Sequence, residues 1–360
     1  MRQQAHGGNL AWAAALAGCP PEAILDFSAS ISPLGPPNSA IAAIASQMGN
    51  LRHYPDPDYS ELRLALSHFH QLPPEWILPG NGSAELLTLA GRDLAKLAAT
   101  MLMTPAFGDY YRTLAAYNAK VLEFPLNLAN SGDSSLVNSP LSCLLDKGQK
   151  TFNKGLLLNN PHNPTGKLFS REAILPYLEQ FALVVVDEAF MDFLHPDEEQ
   201  SLIPVVQEYA NLVILRSLTK FYSLPGLRLG YAIAHPDRLR RWQLWRDPWP
   251  VNILAAAAAV AALQDREFQE QTWKWLTPTR NQLFQGLAAI PGLQPFESAA
   301  NFLLVESQQS SSQLQQQLLQ NHQILIRDCL SFKELGDRFL RVAVLSESDN
   351  QRLLTALKES

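Results

Sequence analysis

The sequence predicts an α/β protein in which a mostly parallel sheet is covered by helices and a smaller α+β unit follows. Three observations carry that expectation. Between about residues 80 and 235 short apolar runs alternate with helical segments. Those runs are apolar at consecutive positions, as strands buried on both faces must be. Beyond about residue 250 the order changes to long helices and then isolated strands.

The elements follow in chain order. GNGSAELLTLAGRDLA (80–95) is a glycine turn opening a helix, and TMLM (100–103) is a strand. A helix after FGDY (107–110) leads to the strand KVLEF (120–124), and the polar stretch 127–153 reads as loop around one short helix. Then come the strand GLLLNN (155–160), a helix from Ser170, the strand ALVVVDE (182–188), a helix after Ser201, and the strand NLVILRS (211–217). The run ILAAAAAVAAL (253–263) falls far short of the roughly 20 residues of a membrane span and reads as a buried helix. LQQQLLQ (314–320) has the spacing of a surface helix, and NFLLVE (301–306) and FLRVAV (339–344) read as strands. The expected division is a large unit at 50–250 and a small one made of 1–49 with 251–360.

Composition narrows the partners. With 360 residues, 47% hydrophobic and 17% charged, the chain is of ordinary enzyme composition. Its net charge of −6 argues against nucleic acid or an anionic membrane as partner, while local clusters leave small anions open. Cys19, Cys143 and Cys329 lie far apart without metal-ligand spacing, which fits a reducing compartment and no metal. The opening stretch has no apolar run of signal-peptide length, so a cytoplasmic location is expected.

In such sheets ligands gather beyond the carboxyl ends of the strands. Four stretches there carry polar groups. GNGSAE (80–85) opens a helix whose backbone N–H groups can bind an anion, although alone it reads more readily as an ordinary turn. In NNPHNPTG (159–166) two Asn-Pro steps make a rigid turn expected to aim Asn160 and Asn163 outward. Asp187, ending VVVDEAF (184–190), is a carboxylate on a buried strand and needs a cation or strong donor. RSLTKFYSLPGLRLGY (216–231) sets Lys220 among apolar residues, flanked by Ser217, Thr219 and Arg228, a combination suited to phosphate. Together these supply what pyridoxal phosphate requires: a phosphate anchor, a carboxylate for the ring nitrogen, and a desolvated amine for the Schiff base.

The ordered set GNGSAE, NPHNPTG, VVDEAF and SLTKFYSLPGLRLGY resembles the fold-type I pyridoxal-phosphate enzymes, in their histidinol-phosphate aminotransferase branch. The resemblance spans nearly the whole chain. It implies Lys220 as the Schiff-base lysine, Asp187 as partner of the ring nitrogen and Asn163 as partner of the ring oxygen. Ser83, Ser217, Thr219, Arg228 and the backbone N–H groups of Gly82 and Ala84 would hold the cofactor phosphate. Tyr54 would reach the cofactor of a neighbouring subunit, implying a homodimer, and Arg341 would bind the substrate carboxylate. Phe190 stands where those aminotransferases usually carry tyrosine. HGGN (6–9), ILDFSASISPLGPP (24–37), DEAF (187–190) and ILIRDC (324–329) resemble the group within this branch that decarboxylates L-threonine O-3-phosphate for cobalamin biosynthesis. That group shares the phenylalanine. The resemblance implies substrate contacts from His6, Gly7, Ser30, Asn163 and Arg327, with His6 and Arg327 on the phosphate. Ser30 and Ser32 replace two asparagines of the group's motif. The alternative expectation is an aminotransferase of the histidinol-phosphate type using 2-oxoglutarate.

Overall fold

The computed structural model describes residues 6–128 and 151–360, so the loop and short helix expected at 127–153 lie, but for their ends, outside the described residues. The described strands are β1 (Leu25–Asp26), β2 (Ile77–Asn81), β3 (Ala99–Thr104), β4 (Val121–Pro125), β5 (Lys154–Asn159), β6 (Leu183–Asp187), β7 (Leu212–Ser217), β8 (Leu229–Ala234), β9 (Leu293–Pro295), β10 (Phe302–Ser307), β11 (Ile324–Leu325), β12 (Arg327–Asp328) and β13 (Phe339–Ala343).

Seven of them form the large sheet, in the order β2-β8-β7-β6-β5-β3-β4. From β4 to β7 every pairing is parallel, as the apolar runs required. Their residues alternate between two cores: Val184, Val186, Leu212 and Ile214 face one layer of helices, and Leu183, Val185, Val213 and Leu215 the other. β8 runs antiparallel to both β7 and β2. Neither β2 nor β8 was expected as a strand. β2 contains Pro79 and Gly80 and reads as a turn, yet at the sheet edge a proline costs no ladder bond. β8 carries Gly230, where a Cβ would stand 2.5 Å from the Ser83 nitrogen, so its absence lets β8 run against the turn at 82–83.

Two further expectations are corrected. The helix near FGDY starts inside it and spans Gly108–Ala116. After Ser201 there is only a single 3-10 turn, Ile203–Val205, holding Pro204. The chain between β6 and β7 instead delivers Asp192, Glu199 and Ser201 to the buried Arg216.

Beyond residue 250 the expected helices and the strands of NFLLVE and FLRVAV are present, while β9, β11 and β12 were not expected. Ile253–Gln264 is a helix with Ala255, Ala258, Ala259 and Ala262 buried, capped by Asn252, whose side chain accepts from the Ala255 N–H. It lies against Asn38–Gln47 and Ser60–His70. β12-β13-β10-β9 form an antiparallel sheet. The N-terminal segment joins this end of the chain: β1 pairs with β11, and helix Leu10–Ala17 packs on Ser311–His322. No described helix is long and apolar enough to cross a membrane.

Candidate active site

β5, β6 and β7 end side by side at Asn159, Asp187 and Ser217, and the loops that follow enclose a cavity of about 340 Å³. Parallel register brings Asn159 level with Asp187. Lys220 enters from the loop after β7 and Ser83 from the start of helix Gly82–Leu94. β12 and β13 supply Arg327 and Arg341 from the opposite wall. The N-terminal segment completes the enclosure with His6, Gly7 and Ser30.

Lys220 Nζ donates to Ser217 Oγ at 3.1 Å and lies 5.3 Å from the ring centre of Phe190. Burial pushes its pKa down to about 8, and the charges of Arg228 and Arg341 push the same way against the pull of Asp187. The Asp187 carboxyl accepts from Tyr110 Oη at 2.8 Å and from the Ala189 N–H at 3.0 Å. Burial raises its pKa, opposed by the Lys220 charge and by these two donors.

The phosphate-binding expectation rests on the turn at 82–84. Gly82 has φ +72°, and a Cβ there would stand 2.7 Å from an Arg228 guanidinium nitrogen, so only glycine leaves Arg228 beside the helix start. Ser217 and Thr219 hydroxyls lie 2.8 Å apart next to it. Helix N-terminus, two hydroxyls and guanidinium match a phosphate, and amine and carboxylate match the aldehyde and ring nitrogen of pyridoxal phosphate. The residues present fit that cofactor. Among the described residues no group of three or more His, Cys, Asp or Glu side chains could hold a metal ion.

The substrate-side residues also converge. Arg327 and Arg341 are directly opposed across β12 and β13, both buried. Arg341 donates to Asn163 Oδ1 at 2.5 Å and to the Ser28 carbonyl at 3.1 Å, while its Nε has no partner. Burial, reinforced by Arg327, lowers its pKa to about 10. Arg327 donates to Ser331 Oγ at 2.6 Å. Ser30 is buried with its hydroxyl unpartnered. Gly7 passes so close to Ser28 that a Cβ would meet its carbonyl oxygen at 2.2 Å, and Gly8 N–H donates to Ser28 Oγ at 2.8 Å. His6 lies exposed at the mouth, 3.7 Å from Asp109.

One expected placement differs. Asn160 turns inward rather than outward: its side chain clasps the Phe169 backbone in both directions, and it is fully buried. Tyr54 is 77% exposed, stacked on Trp249, and does not line this chain's own cavity. Sequence reasoning missed Tyr110 and Phe107, which also line the cavity. Their signal was available, since FGDY follows the carboxyl end of β3 and opens a helix there.

The fold and site define a member of the aminotransferase class I and II family, to which the chain belongs across residues 22–357. Among curated relatives it is 39% identical to the threonine-phosphate decarboxylase of Salmonella typhimurium, over 98% of this chain and 96% of that protein. It is 30% identical to the adenosylcobalamin biosynthesis bifunctional protein CobDQ of Leptospira interrogans, over 98% of this chain but 40% of that longer protein. Its fold superimposes on the histidinol-phosphate aminotransferase from Clostridium acetobutylicum with a TM-score of 0.84 and 28% identity, covering 93% of this chain and 98% of that one.

Proposed function

We propose that the protein is a pyridoxal-phosphate-dependent carboxy-lyase. It converts L-threonine O-3-phosphate to (R)-1-amino-2-propanol O-2-phosphate, which serves the aminopropanol arm of cobalamin. The observation that carries this reading is the opposed pair Arg327 and Arg341, two buried guanidiniums in the cavity that holds Lys220. Like charges directly across a strand pair repel, so the arrangement favours a ligand with two anionic groups. A carboxylate and a phosphate on one small molecule supply both. Histidinol phosphate carries the phosphate alone, whereas 2-oxoglutarate carries two carboxylates, and the turnover test below separates the two readings.

Roles then follow for this chain's residues. Lys220 supplies the amine that holds the cofactor aldehyde, and Asp187 keeps the ring nitrogen protonated. Asn163 bonds the ring oxygen, and Ser83, Ser217, Thr219, Arg228 and the N–H groups of Gly82 and Ala84 hold the phosphate. When bound, pyridoxal phosphate supplies an electron-poor ring that accepts the electron pair left by a bond breaking at the substrate α-carbon. Arg341 takes the substrate carboxylate; Arg327 and His6 take its phosphate; Gly7 and Ser30 close over the remainder. Carbon dioxide would leave as the Cα–carboxylate bond breaks, and Lys220, free as an amine once the substrate's amine has taken its place on the cofactor aldehyde, would deliver the proton that replaces it at Cα. An amine with a pKa near 8 is suited to that transfer near neutral pH.

Residues 50–250 form the cofactor unit in this reading, and 1–49 with 251–360 the unit that closes over substrate. The active form is a homodimer in which the exposed Tyr54 reaches the partner's cofactor phosphate. Exposed Ile41, Met48 and Leu51 on the same part of the chain support it, and sedimentation at twice the chain mass is expected.

The test is turnover of L-threonine O-3-phosphate with no keto acid present, following carbon dioxide. Steady release is expected. Conversion of the cofactor to its amine form without carbon dioxide, or amino transfer to 2-oxoglutarate, would replace this reading with the aminotransferase.

A further inference from the structure

Tyr110 is a buried phenol for which the reaction above has no use. It sits in the first turn of helix Gly108–Ala116, 3% exposed, and Oη donates its single proton to Asp187 Oδ2 at 2.8 Å. Asp187 Oδ1 is held separately, by the Ala189 N–H at 3.0 Å. Each carboxylate oxygen thus has one fixed donor, and the two come from different elements. Phe107 packs edge-on to Tyr110 at 5.7 Å and 87°, anchoring the ring from the cavity side. Burial drives the Tyr110 pKa well above 10, with the Asp187 charge adding to it, so the phenol stays a donor.

We infer that Tyr110 is a positioning residue for the cofactor, acting through Asp187. Burial alone favours the neutral acid at Asp187, and a neutral acid cannot hold a protonated ring nitrogen. The Tyr110 bond opposes burial by stabilising the charged carboxylate. It also fixes the carboxylate plane, because with Ala189 alone the group could rotate about its Cβ–Cγ bond. The inference rests on the role given to Asp187 above.

The experiment is an equilibrium titration of cofactor-free protein with two ligands: pyridoxal phosphate, and its deaza analogue with carbon in place of the ring nitrogen. Wild type is expected to prefer pyridoxal phosphate. Tyr110→Phe, which keeps the ring, is expected to weaken pyridoxal phosphate about tenfold and leave the analogue within about twofold. In an Asp187→Asn background Tyr110→Phe is expected to have no further effect. Equal weakening of both ligands would make Tyr110 a packing residue and overturn the inference. No weakening of either would overturn it as well. If wild type itself failed to distinguish the two ligands, the fault would lie with the role of Asp187.

Discussion

Adjacent residues at the ends of β6 and β7 build two buried acid–base sets with opposite fates. Glu188 and Arg216 face one side of the sheet. Glu188 accepts from Arg216 Nε at 3.0 Å, Ser201 Oγ at 2.6 Å and the Leu202 N–H at 2.9 Å. Arg216 spends its other nitrogens on Asp192, Glu199 and Ser201. Asp187 and Lys220 face the other side, where the neighbouring cations Arg228, Arg327 and Arg341 are gathered around the cavity. Arg341 there keeps a buried Nε without a partner. The chain supplies partners for Glu188 and Arg216 by itself, leaving Asp192 Oδ2 as the unpartnered atom of the first set, and it leaves the second with donors to spare. Buried charge closed within the chain holds structure, and buried charge left open waits for a ligand.

The largest effect should come from the open set. Lys220→Ala is expected to lower turnover on the order of 10⁴-fold or more, since it removes the cofactor's amine and the proton donor together. Thermal unfolding of the cofactor-free variant should show no loss of stability. A folded variant retaining even a tenth of wild-type turnover would move the chemistry elsewhere. Arg216→Met tests the closed set in reverse. It strands Glu188 in the interior and takes the cation from Asp192 and the part-exposed Glu199, and should cost about 3–5 kcal/mol in urea unfolding, while the fraction still folded keeps turnover within about twofold. Equal stability would mean that the cluster holds nothing.

The two sets also differ in how they respond to pH. Glu188 is raised by burial from 4.5 to about 6, so the folded chain holds its proton more tightly. The stability this lends is full below pH 4.5 and is lost as pH rises through 6. Lys220 is lowered by burial from 10.5 to about 8, so the unfolded chain holds the proton more tightly. Its contribution is full above 10.5 and is lost as pH falls through 8. Cofactor-free protein should therefore gain about 1–3 kcal/mol between pH 8 and 10.5 from this group. Lys220→Met should be more stable than wild type at pH 7 and lose that advantage by pH 10.5. An unchanged gap across that window would show that the lysine is not desolvated.

What could be read from sequence follows the same division. The parallel strands were legible because burial on both faces leaves continuous apolar runs such as LVVVD, and Asn163, Asp187 and Lys220 because each ends or follows such a run. β2 was hidden because Pro79 and Gly80 mark turns locally, and only its edge position makes them tolerable. The missing helix after Ser201 and the inward turn of Asn160 share another cause. Both segments are committed to partners remote in sequence or across a loop, Arg216 in one case and Phe169 in the other. Periodicity does not encode such partners. Tyr110 could be placed near the site from FGDY, but its target could not be read, since it lies 77 positions away.

The smallest effect is the sharpest test of the open set. Ser30 Oγ is buried and unpartnered in the substrate-free chain, and a hydroxyl so placed costs about 1–3 kcal/mol. Ser30→Ala should therefore leave the substrate-free protein as stable as wild type, or more stable by up to about 1 kcal/mol. If substrate is what satisfies the hydroxyl, the same change should raise KM for L-threonine O-3-phosphate about three- to tenfold with kcat nearly unchanged, the pattern of a contact made equally in ground and transition states. A variant losing stability with KM unmoved would place the serine in the closed class with Glu188, held by a partner inside the fold. A gain in stability with weaker substrate binding would show one hydroxyl kept unsatisfied by the fold for the sake of its ligand.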